Sequence, residues 1–129
     1  MATYKKINLS PGGTEGSGNS IAIAAETGVG TTIIHDTGTS ATVRDEIWLW
    51  ATNIDASSIE LTIAYGYVIA DGFADADKVI LTVPPKSGLM LVVTGLPLRG
   101  SGSAALRVGA SAGTVNKVNV VGYVNRITT

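Results

Sequence analysis

Glu46-Ile47-Trp48-Leu49-Trp50-Ala51-Thr52-Asn53 carries both tryptophans of the chain, two residues apart. Successive side chains of a strand point to opposite faces, so Trp48 and Trp50 share one face, and Ile47, Leu49 and Ala51 line the other. A strand at the surface of a soluble antiparallel sheet keeps one face polar. This one is apolar on both, with only Glu46 and Thr52 polar on the tryptophan side. The stretch therefore defines a strand and asks what covers its second face.

The same period of two continues outward in both directions. Alternation, abundant β-branched residues and frequent Gly, Pro, Asn or Asp interruptions predict about nine strands. They fall at 4–9, 20–25, 31–36, 45–53, 58–69, 78–83, 89–94, 104–108 and 117–127. No stretch reads as a helix. Short strands separated by turns predict an all-β domain, a two-sheet antiparallel β-sandwich of jelly-roll-like form. The Gly-rich run 11–19 is expected to detach an N-terminal arm (1–19) from the sandwich domain (20–129). Pro84-Pro85-Lys86-Ser87-Gly88 must lie outside a central ladder, because proline donates no backbone hydrogen bond. The run 95–103 is expected to be a longer crossing, and 109–114 to close the last hairpin. The expected core comprises one face of Ile47 or Trp48 with Ile59, Leu61, Ile63, Leu81, Leu91, Val93, Val120 and Val124.

Composition narrows the function classes. Nine Lys+Arg against ten Asp+Glu give a formal charge of -1, and charged residues are only 15% of the chain. No basic field exists to hold nucleic acid or an anionic membrane. A charge-poor surface on a 45% apolar chain points to protein contact. The absence of cysteine removes disulfides and thiolate metal sites, and fits synthesis in an intracellular compartment. No apolar run approaches the roughly 20 residues of a membrane span, and the first ten residues lack a signal-peptide core, so a soluble, unsecreted chain is expected.

The candidate chemical motifs resolve to structural readings. Gly109-Ala110-Ser111-Ala112-Gly113 matches the G-x-S-x-G nucleophile elbow, which needs a strand before it and a helix after it. Here the flanks read strand, turn, strand, and the sole histidine, His35, precedes the serine instead of following it. His35 is too isolated for a metal site, and Asp36 points to the other strand face, so a structural hydrogen bond is expected. Asp71, Asp75 and Asp77 lie close together, but Phe73 at the third position and Thr82 at the twelfth break the calcium-loop pattern. Gly13-Thr14-Glu15-Gly16-Ser17-Gly18 and Gly28-Val29-Gly30-Thr31-Thr32 lack the Lys of a phosphate loop and read as linker and turn. No catalytic residue, cofactor or metal is expected. Trp48 and Trp50 form the one alternative: same-face aromatics could stack sugar rings, making the chain a glycan-binding or fibre module. Their apolar neighbourhood predicts burial of the pair.

Two further strands are apolar on both faces. Leu89, Leu91 and Val93 oppose Met90 and Val92; Val118, Val120 and Val124 oppose Val121, Tyr123 and Ile127. A sandwich has one interior, and monomers rarely expose large apolar patches. Another copy of the chain is the expected cover, with the arm pairing to a neighbour.

The runs 45–66, 80–101 and 118–127 resemble the small β-sandwich virion proteins of tailed bacteriophages, and among these the decoration, or cement, proteins of the head. The resemblance spans about 33–127 and transfers no catalytic residue. It implies a jelly-roll-like sandwich, often a homotrimer, made in the host cytoplasm and seated on the outer capsid surface against the major capsid protein. Tyr4, Lys5, Lys6, Ile7, Trp48, Trp50, Met90 and Val92 are the residues expected at the oligomer or capsid interface.

Overall fold

The computed structural model describes residues 2–24, 32–67 and 78–129. Among them are nine strands: β1 (Thr3–Asn8), β2 (Ile21–Ala22), β3 (Thr32–Asp36), β4 (Val43–Asn53), β5 (Ile59–Tyr67), β6 (Lys78–Val83), β7 (Met90–Arg99), β8 (Arg107–Ala112) and β9 (Val118–Thr128). The chain is a sandwich of two antiparallel sheets. One is ordered β1-β9-β4-β7, with β2 also on β9, and the other β3-β8-β5-β6. The pairs β1/β9, β3/β8, β4/β7 and β5/β6 nest within one another along the sequence and alternate between the sheets. That is one long hairpin rolled up, the jelly-roll topology, with β4/β9 and β5/β8 closed by the rolling.

The inner face of β4 explains much of the packing. It reads Asp45, Ile47, Leu49, Ala51, Asn53, all buried: polar at each end and apolar between. Ile47 lies opposite Val124 and Ala51 opposite Val120, and these pack against Ile59, Leu61, Ile63, Val83 and Val108 of the other sheet. Leu49 faces Gly122, where a Cβ would run into the Trp48 carbonyl. Glycine is therefore required at that position.

The structure corrects the expected core at β7. Between Trp48↔Thr94 and Ile47↔Leu96 the register skips Gly95, and between Leu49↔Val93 and Trp50↔Leu91 it skips Val92. An extra residue reverses the facing of everything beyond it. Val93 is buried, whereas Leu91 joins Trp50 on the outer face and is 43% exposed. The first bulge sits on Gly95, whose φ of +77° suits glycine, and it carries β7 through to Arg99 where a loop was expected. Pro97 is tolerated there because β7 is an edge strand. In β8, likewise, strand continues through Ala112, so 109–112 belong to a strand and not to a turn.

The N-terminal arm is also placed differently. β1 pairs with β9 of its own chain over six residue pairs, from Thr3↔Thr128 to Asn8↔Tyr123, and buries Ile7 and Leu9 in the core. β2 resumes on the same edge of β9 at Ile21↔Val120, so β1 and β2 are one edge strand interrupted by the Gly-rich run. That run folds back locally: Gly16 N–H donates to the Leu9 carbonyl, Asn8 Nδ2 donates to the Gly16 carbonyl, and Glu15 Oε2 accepts the Asn8 N–H. It is a closed excursion, not a tether.

Candidate functional site

The outer face of the larger sheet gathers most of its polar and aromatic chemistry around β4 and β9. Glu46, Trp48, Trp50 and Thr52 stand opposite Asn125, Tyr123, Val121 and Asn119. Trp48 and Tyr123 have centroids 6.4 Å apart with planes 14° from parallel; Trp50 and Tyr123 are 5.9 Å apart and tilted 30°. The indole of Trp48 rests on Gly95, where a Cβ would stand only 3.1 Å from Cζ2. Trp48 Nε1–H donates to Glu46 Oε1 at 2.9 Å, and Asn125 Nδ2 donates to the same oxygen at 3.2 Å. These two bonds hold the Glu46 carboxyl below its ordinary range. Lys6 Nζ sits 4.5 Å from the centroid of Tyr123, a cation–π contact. Trp48 and Trp50 are thus only partly buried, on an outer face that the described residues leave uncovered, where burial was expected.

Of the other residues expected at an interface, Tyr4 and Lys6 share this outer face, and Tyr4 is 71% exposed. Lys5 is exposed opposite Arg126. Ile7 is a core residue of its own chain, and Met90 and Val92 are half-buried against the core. The structure brings together Tyr4, Lys6, Trp48 and Trp50 and separates the rest. It adds Tyr123, Glu46 and Asn125, which the sequence did not single out. The signal for Tyr123 was its alternation with Val120 and Val124, which placed it on the outer face.

A second surface lies where the sandwich ends. β6 and β7 are the last strands of their sheets, joined by the turn at 84–89. Thr52 Oγ1 donates to the Ser87 carbonyl at 2.6 Å and fixes that turn. Val79, Ile80, Leu89 and Leu91 are exposed here. Among the described residues no strand pairs with the outer edge of β6.

The catalytic candidates are committed elsewhere. His35 is fully buried: Ser10 N–H donates to Nδ1 at 3.0 Å, which leaves Nε2 to donate to Asp45 Oδ2 at 2.7 Å. Arg126 donates to both Asp45 oxygens at 2.8 Å. Burial alone would raise the Asp45 carboxyl; the bonds from Arg126 and His35 outweigh it and hold the group below its ordinary value, while Asp45 in turn raises Arg126. Asp36 pairs with Arg107 at 2.8 Å across β3 and β8. Ser111 lies within β8 opposite Thr62, with no helix after it. Asp71, Asp75 and Asp77 lie outside the described residues. Among the described residues no three His, Cys, Asp or Glu side chains are placed to hold a metal, and no helix is long and apolar enough to cross a membrane. The interruption between β1 and β2 leaves a small cavity, about 200 Å³, lined by Leu9, Pro11, Ile21, Gly122 and the loop 16–20.

Comparison with protein-family models gives no match, and comparison with curated proteins gives none either.

Proposed function

We propose that this chain is a structural protein of a tailed-phage virion, of the capsid decoration type, which acts by binding alone. On this reading it sits on the outer surface of the head as a homotrimer and ties neighbouring major capsid proteins together. The observation that carries the reading is the β6–β7 flank: an edge of β6 that no described strand pairs, with Val79 and Leu89 exposed beside it and Ile80 and Leu91 exposed on the outward faces of the two sheets that meet there. An unpaired edge is a docking template for another chain, and an apolar border adds burial to the main-chain bonds. The jelly roll recurs in viral capsid domains, which is support by analogy of fold. The sequence resemblance to decoration proteins points the same way.

A shell repeats one site many times, and a trimer engages three at once, which raises avidity by roughly 10²–10⁴ over one contact. The test mixes the protein with expanded heads that lack decoration, then compares shell melting and genome release on heating. Binding with delayed rupture, lost in Ile80→Lys, supports the proposal. Absence of binding to heads, or a sedimentation mass of one chain at micromolar concentration, counts against the shell and trimer parts respectively.

A further inference from the structure

We infer that the Trp48/Trp50 face is a carbohydrate subsite taking a pyranose-based oligosaccharide. It adjoins the β6–β7 flank at Leu91, which stands opposite Trp50, but the inference does not depend on shell binding.

Three observations carry it. First, the rings are held in place before any ligand arrives. Trp48 is tied by Nε1 to Glu46 and rests on Gly95, and Tyr123 stands between the two indoles at 6.4 and 5.9 Å. Lys6 caps Tyr123, and both indoles keep part of their surface open on the outer face. Second, the polar groups suit hydroxyls. Both bonds to Glu46 fall on Oε1, and Oε2 takes none from the described residues. A carboxylate oxygen accepts from a sugar O–H, and the Lys6 ammonium donates to a sugar oxygen. Third, the mixture argues against a protein partner here. The centres of protein interfaces are depleted of charge, whereas Lys6 and Glu46 flank these aromatics directly. Aromatic faces carry negative charge density, matching the C–H faces of a pyranose, while a few fixed polar groups orient its rim.

The chain has only two tryptophans, and both lie in this site, so its intrinsic tryptophan emission reports on nothing else. Wild-type protein is titrated with cellotetraose, chitotetraose and maltotetraose while emission is followed, and is also applied to an array of pyranose glycans. The expected result is a saturable emission change with at least one sugar class and retention on the matching array spots. Affinity should fall at least tenfold in Trp48→Ala and in Trp50→Ala, and less in Glu46→Gln, with melting temperatures showing that each variant folds. The wild-type titration decides the matter even if a variant does not fold. No emission change with any sugar together with no retention on the array overturns the inference. So does retention that persists in both tryptophan variants. Emission that responds to capsid heads and never to sugars would make the face a protein-docking surface, and would likewise overturn it.

Discussion

Asp45→Ala isolates the buried network that joins the two sheets. Asp45 is 1% exposed and accepts from Arg126 twice and from His35 once. Its loss orphans the fully buried His35 Nε2–H, while Arg126, with a third of its side chain exposed, recovers water. Removing one partner of a buried pair costs about 3–5 kcal/mol, against about 0–1 for a surface pair. At an unfolding entropy near 2.1 cal/mol/K per residue, 129 residues lose about 4 °C per kcal/mol, so the melting temperature should fall by about 11–18 °C at pH 7. The pH dependence has a definite sign. The folded-state value of Asp45 lies below the unfolded value of about 3.9, so the unfolded chain binds more protons between the two. The contribution is full above the unfolded value and is lost as pH falls through the folded one. Wild type should therefore lose stability in acid faster than Asp45→Ala, and the gap between them should narrow. Calorimetry of both proteins from pH 7 down to pH 3 measures it. A loss under 4 °C at pH 7, or a gap that widens in acid, would refute the account of the network as a stabilising buried pair.

Gly122→Ala forces a methyl group into the Trp48 carbonyl, a backbone atom that cannot yield; a loss of several kcal/mol or failure to fold is expected in a thermal melt. Leu61→Ala should cost about 2–5 kcal/mol, whereas Leu91→Ala, on the outer face, should cost under about 1 in denaturant titration. Asn53→Ala removes a side chain that donates to the Ser57 and Val83 carbonyls and accepts the Asp55 N–H; a loss of about 2–3 kcal/mol is expected by the same measurement. Trp50→Thr gives up a cross-strand ring contact and no core packing, so its cost should stay near 0.5–1.5 kcal/mol.

Alternation sufficed for the fold class because it is local: that Ile47, Leu49 and Ala51 share one face and both tryptophans the other follows from neighbouring residues alone, but which face turns inward does not. Leu91 was misplaced because a bulge reverses facing without any mark in the pattern, and Gly95, the visible marker nearby, reads equally well as a loop. The arm was misread for a related reason. A Gly-rich run signals backbone freedom, but here Gly16, Asn8 and Glu15 spend that freedom in closing a loop, and Ser10 is anchored to His35. The candidate site was half legible. The sharing of a face by Trp48 and Trp50 is a two-residue fact. Their contact with Tyr123 depends on the register of β4 against β9, strands separated by most of the chain. Nothing local specifies that register.

The inner and outer faces of β4 make separate demands on its sequence. Ile47, Leu49 and Ala51 already seal the interior, and Asp45 and Asn53 pin the strand at its ends to β3, β9 and the turns around it. Trp48 and Trp50 add nothing to that interior. A small polar residue at either position would satisfy the fold at lower cost in exposed apolar area, yet the chain places its two largest side chains there. The surroundings accommodate them: Gly95 leaves room beneath one indole, and Glu46 takes its N–H. A rigid central strand carrying aromatic side chains that the interior does not use is what the proposed contact surface requires. The polar groups interleaved with it, exposed Lys6 and partly buried Glu46, would set what kind of contact that is.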